Sequence, residues 1–139
     1  MKPPSGNVSS HFRPLLRFRK GYALAAAALL AIEILIALLV DDSFVRPYFG
    51  DTLAVALVYC ALRATLALRP FPAAALALAV AVVIEFGQYL HVLRLVGLEG
   101  NAFARTVLGT GFEPRDFLAY AAGALAVLAI EAARTQPKA

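Results

Sequence analysis

Ionisable and amide side chains standing inside otherwise apolar runs are the residues of this chain that could do chemistry. Glu85 and Gln88 lie one helical turn apart near the far end of a long apolar run. Glu33 sits within the first such run, Asp51 and Asp116 open two others, and Arg46 and Arg105 fall in the connections between them. A carboxylate at the centre of a bilayer costs about 2.5 to 3.5 kcal/mol, so Glu85 must face protein or a watery cavity rather than lipid. Two kinds of chemistry follow. Arginines beside such acids can hold an anionic group, and a carboxyl that keeps its proton can serve as a general acid or carry a proton. The same residues can also serve as glue, pairing Arg with Asp and Gln with backbone to hold helices together.

These residues need elements to position them, and the hydropathy pattern supplies four. Apolar runs at about 22–40, 51–69, 72–94 and 115–133 each approach the roughly 20 residues that a helix needs to cross about 30 Å of hydrocarbon. In the third run Ala73, Ala77, Ala81 and Glu85 recur every four residues, a stripe of small side chains that lets a neighbouring helix approach and ends on the carboxylate. Asp116, Tyr120 and Gly123 form a similar face on the last run, widened by Ala119, Ala122 and Ala126. Within the second, Tyr59 and Arg63 share a face; Arg63 either reaches the inner surface along its own stem or pairs with Glu33. Asp51 is placed at the start of the second helix, where an acid favours the backbone dipole.

The connections are read from their turn residues. Arg46, Pro47 and Gly50 suit a turn between the first two spans, and two prolines among residues 69–72 make a tight turn before the third. The stretch 95–114 is long for a link between packed helices, and such loops often carry function. Residues 102–108 within it fit a short helix lying at the interface, with Arg105 on its polar side and Phe103, Val107 and Leu108 on its apolar side. Gly109 and Gly111 would end it.

Composition agrees. Of 139 residues 61% are apolar and 16% charged, with a positive mean hydropathy, which excludes an ordinary soluble domain. The basic pI reflects charges at the ends of apolar runs, where they orient membrane proteins, so nucleic acid is not an expected partner. Eight Lys and Arg fall on one side of the four spans and four on the other, Arg63 being within a span. That balance puts both termini in the cytoplasm. Residues 1–20 read as a disordered basic N-terminus, 21–134 as the transmembrane domain and 135–139 as a cytoplasmic tail. Cys60 is a single cysteine inside an apolar run, and His91 lies far from His11, so no metal or other cofactor is called for. The sequence holds no phosphate-cradling glycine loop, HExxH, CxxC or serine-nucleophile motif, which tilts the expectation away from an enzyme.

Several strings in order, RPYFGD and VYCALR within 46–63, EFGQYLH at 85–91 and ARTVLGTGFEPRDFLAYAAG at 104–123, carry a family resemblance. The chain resembles an uncharacterised bacterial family of four-span membrane proteins, the domain of unknown function numbered two-eight-zero-nine. More loosely, the ExxQ at 85–88, the loop arginine and the Asp opening the last span look like the VanZ-like proteins of the cell envelope. Arg46 and Asp51 stand where the VanZ pattern has Lys and His. The resemblance implies an all-α, multi-pass protein of the bacterial inner membrane. Together with the residues it sets out the expectation: a bundle of four helices in which Glu33, Arg46, Asp51, Glu85, Gln88, Arg105 and Asp116 meet at the outer end, with Tyr59, Arg63 and Tyr120 in support. The bilayer, an envelope lipid or glycan-lipid, and other membrane proteins are the expected partners.

Overall fold

The computed structural model describes residues 14–108 and 111–137. Its elements are α1 (Lys20–Leu39), α2 (Val45–Thr65), α3 (Pro70–Tyr89), α4 (Val92–Leu95), α5 (Ala102–Leu108) and α6 (Asp116–Thr135). Among the described residues there is no strand; one isolated antiparallel bridge joins Leu16 to Leu66. Three helices, α1, α3 and α6, are long and apolar enough to cross a membrane.

The fourth long helix, α2, has the length but carries Arg46, Asp51 and Arg63. Its place in the bundle answers that cost. α2 packs against α1, α3 and α6, and α3 also packs against α6. Every residue from Asp51 to Cys60 is buried or half-buried. The helix that carries Arg46, Asp51 and Arg63 is therefore packed against by the three helices apolar enough to span. α1 is the converse, an apolar helix with no buried residue that rests on α2.

Small residues bring the helices together. The buried residues of α3 are Ala74 and the stripe Ala73, Ala77, Ala81, Glu85. On α6 the buried set is Ala119, Tyr120, Gly123, Ala124, Val127 and Glu131. Gly123 is required by the approach of α2: a Cβ there would stand 2.6 Å from the Thr52 carbonyl oxygen. At the same crossing the Thr52 hydroxyl donates to Tyr48 O at 2.9 Å and Ala119 O at 3.2 Å, tying α2 to α6.

The helix ends differ from the expectation in three places. α2 begins at Val45, six residues before Asp51, so Arg46, Pro47 and Gly50 lie inside its first two turns rather than in a turn, and Asp51 caps nothing. Asp42 does that work, its Oδ1 accepting the N–H of Phe44 at 2.7 Å and of Val45 at 2.9 Å. α3 begins at Pro70, with Pro72 still in its first turn, because the first turn's N–H groups have no helical partner to lose. It stops at Tyr89 rather than running on to residue 94, where His91 takes a left-handed conformation with φ of 53°. That geometry is unfavourable by about 1 to 2 kcal/mol for a residue with a Cβ, and it breaks the helix.

The N-terminal region also differs. Residues 1–13 lie outside the described part, but 14–19, expected to be disordered, run extended along the link after α2. Ala67 N–H donates to Leu15 O at 2.8 Å, Arg17 N–H to Thr65 O at 2.9 Å and Arg19 N–H to Ala64 O at 2.8 Å. Carbonyls at a helix C-terminus have no partner within the helix, and here the incoming strand-like segment supplies two of them with donors.

Candidate functional site

The predicted constellation separates into two parts on different faces of α3. The first is acidic and enclosed. Glu85 is 0% exposed, yet both oxygens are satisfied by neutral donors: Oε1 by the Glu113 N–H at 2.8 Å and Oε2 by the Tyr120 hydroxyl at 2.9 Å. The carboxylate thus joins α3 to α6 and to the loop before it. Asp51, half-buried on α2, lies against Asp116 at the start of α6, close enough for the two carboxyls to share a hydrogen bond. Glu85 and Glu33 stand within electrostatic reach of that pair. Asp51 Oδ2 and Glu33 Oε1 are buried without a hydrogen-bond partner among the described residues.

The expected bases do not join these acids. Arg46 is exposed on the first turn of α2, Arg105 is exposed on α5, and neither forms an ion pair among the described residues. Nor are three His, Cys, Asp or Glu side chains grouped to hold a metal ion among those residues.

The second part is a cleft of about 630 Å³ between the end of α3, α4 and α5. Val83, Ile84, Val92, Leu93 and Leu108 give it an apolar wall, and Gln88, His91, Arg94, Glu99 and Arg105 a polar edge. Gln88 Nε2 donates to the Leu108 carbonyl at the end of α5, which fixes the short helix over α3. The break at His91 makes this cleft possible, because α4 turns away where a continuing helix would have filled the space. α5 presents Phe103 outward, 77% exposed, on the side the sequence assigned to lipid. The side chain of Val107 and the residue Gly109 lie outside the described set.

At the opposite end of the bundle stands a network that sequence reasoning largely missed. Arg63, 8% exposed, pairs with Glu131, 7% exposed, at 3.6 Å. Its Nη2 donates to the Tyr22 hydroxyl at 2.7 Å, which in turn donates to Glu131 Oε1 at 2.5 Å. A second donation from Nη1 reaches the Leu68 carbonyl, and the guanidinium carbon stands 4.8 Å from the Tyr22 ring centroid. Tyr59 is buried beside Tyr22, their rings edge to face at 6.4 Å. Neither sequence alternative for Arg63 is realised: it is buried, and its partner is Glu131 rather than Glu33. Depth explains the correction. Glu33 is 13 residues beyond the start of α1, about 20 Å up the helix, whereas Arg63 lies in the last turn of the antiparallel α2. A usable signal was present, since an intramembrane Arg needs an acid at its own depth, and Glu131 lies one turn from the end of α6.

Comparison with known proteins gives one family. A family model described as protein of unknown function (DUF2809) matches residues 40–124. No curated protein matches the chain, and no solved structure does.

Proposed function

This chain belongs to the DUF2809 family of proteins of unknown function, and we propose that it is a four-span protein of the bacterial inner membrane that holds the polar headgroup of an envelope lipid or glycan-lipid at its outer end. The observation that carries this reading is the 630 Å³ cleft, whose apolar wall suits acyl chain and whose rim sets Arg94, Arg105 and His91 against an anionic head. Gln88 and Glu99 add acceptors for hydroxyl groups. α2 serves as the fourth span because α1, α3 and α6 cover it. The eight-to-four balance of Lys and Arg argues for cytoplasmic termini and an outward-facing cleft.

The test is the lipid that stays with the purified protein, identified by mass spectrometry. Arg94→Gln with Arg105→Gln should lower retention of the bound anionic species by roughly 25-fold, about fivefold for each arginine near a charged head. Arg46→Gln, away from the cleft, should leave it unchanged. Equal retention in all three proteins would end the proposal.

A second reading, acid–base chemistry or proton-linked transport, is favoured by the meeting of Asp51, Asp116 and Glu85 with no basic partner among the described residues. It predicts a proton flux in liposomes that Asp51→Asn and Asp116→Asn abolish while folding survives. Flux indifferent to both changes, or absent from the unmodified protein, would dismiss it.

A further inference from the structure

At the end of the bundle opposite the headgroup cleft, four arginines from three stretches of chain converge. We infer that a second cleft there, of about 720 Å³, binds the phosphate of an acidic phospholipid. Arg17 and Arg19 come from the extended segment, Arg63 from the last turn of α2, and Arg69 from the link into α3, with Leu16 and Leu68 beside them. Backbone pairing builds this arrangement. The bonds from Arg17 and Arg19 to the Thr65 and Ala64 carbonyls fix both residues against the end of α2, and the bridge at Leu16 and Leu66 holds the register. Among the described residues no acidic one lines the cleft.

The charge balance leaves room for an anion. Glu131 answers Arg63 and Arg134, at 3.6 Å each. Arg17, Arg19 and Arg69 form no ion pair among the described residues, and the sequence before Pro14 contains no Asp or Glu to supply one. Arg63, which lines the cleft, is more than nine-tenths buried, and its Nε and that of Arg19 have no hydrogen-bond partner among the described residues. A guanidinium offers five donors in a fixed fork that matches phosphate oxygens, so the exposed forks of Arg17 and Arg69 suit a tetrahedral oxyanion. Depth selects a lipid as its source. Arg19 immediately precedes α1, and Arg69 immediately precedes α3, both helices able to span, so the cleft lies at the level of helix ends where headgroup phosphates sit. Leu16, 74% exposed, and Leu15, 64% exposed, offer apolar surface beside it.

The experiment compares full-length protein in nanodiscs of zwitterionic phospholipid with and without a minority of acidic phospholipid, reading the lipids that remain bound after transfer to detergent. Arg17 and Arg69 are exposed, and among the described residues their side chains make no hydrogen bond or ion pair, so Arg17→Gln with Arg69→Gln should keep the fold. The unmodified protein should enrich the acidic lipid, and the double variant should lose that preference by roughly 25-fold, about fivefold per arginine. A charge-matched control at the other end, Arg46→Gln with Arg115→Gln, should keep it. Enrichment surviving in the Arg17 and Arg69 variant, or lost equally in the control, overturns the inference. Inorganic phosphate binding tightly where acidic lipid is not enriched would move the ligand into solution and overturn the lipid assignment.

Discussion

The two ends of the bundle bury carboxylates by different means. At one, Glu85 is fully enclosed and is answered by an amide N–H and a phenol, with Asp51, Asp116 and Glu33 close by and no cation among the described residues. At the other, Glu131 faces the guanidinium of Arg63 and the hydroxyl of Tyr22. The difference teaches where rigidity and charge are placed. An N–H on the loop before α6 and a phenol on α6 fasten both to Glu85 without adding a charge, whereas an ion pair joins α2 and α6 through opposite charges. The first arrangement buries a carboxylate on uncharged partners; the second locks α2 to α6 through opposite charges.

That contrast can be broken in order of expected effect. Glu131→Gln should be the most damaging, because it leaves Arg63 buried without its counter-charge, a loss of about 3 kcal/mol read as a lowered midpoint of thermal unfolding in detergent. Arg63→Met combined with Glu131→Leu should recover most of it, since removing both charges also removes their desolvation cost. If the double variant is as unstable as the single one, the ion pair is not what holds this end.

Glu85→Gln should cost less, about 2 kcal/mol, because the amide keeps an acceptor but loses charge-assisted bonds to Glu113 N–H and Tyr120. Its signature should be local: faster amide exchange around Glu113 with α3 itself protected. A loss equal to that of Glu131→Gln would erase the distinction between the ends.

The smallest effect is expected at Asp42. Its carboxyl lies below the usual carboxylate range because the Val45 and Phe44 N–H groups bond the charged form. The native value is depressed, so the stabilising contribution is complete above the ordinary value of 3.8 and disappears as pH falls below it through the lowered native value. Exchange at the Phe44 and Val45 amides should quicken over that acidic interval and should be fast at every pH in Asp42→Ala. The group is exposed, so global stability should barely move.

Much of this was legible beforehand. The all-helical class and the apolar runs of α1, α3 and α6 follow from residue type, since a backbone in lipid must satisfy its own hydrogen bonds. The stripe from Ala73 to Glu85 was readable because a four-residue spacing keeps side chains on one face whatever surrounds the helix. The beginning of α2 was not, because Arg46, Pro47 and Gly50 are turn residues by type and yet tolerable within the first turns of a helix.

What the sequence determined alone is local: which segments are helical, which faces are small, and that Glu85 must avoid acyl chains. Partnership belonged to the tertiary structure. Glu131 lies 68 residues beyond Arg63, and Tyr22 lies 109 residues before Glu131, so no spacing rule connects them. Only the packing of α2 and α6 side by side in one direction, with α1 running against them, puts the three at one depth. The same packing decided that Asp51, Asp116 and Glu85 at the opposite end would meet one another while Arg46 and Arg105 stayed exposed. Electrostatic attraction weakens steeply across water, whereas helix axes fixed by small-residue contacts dictate which side chains share a buried space.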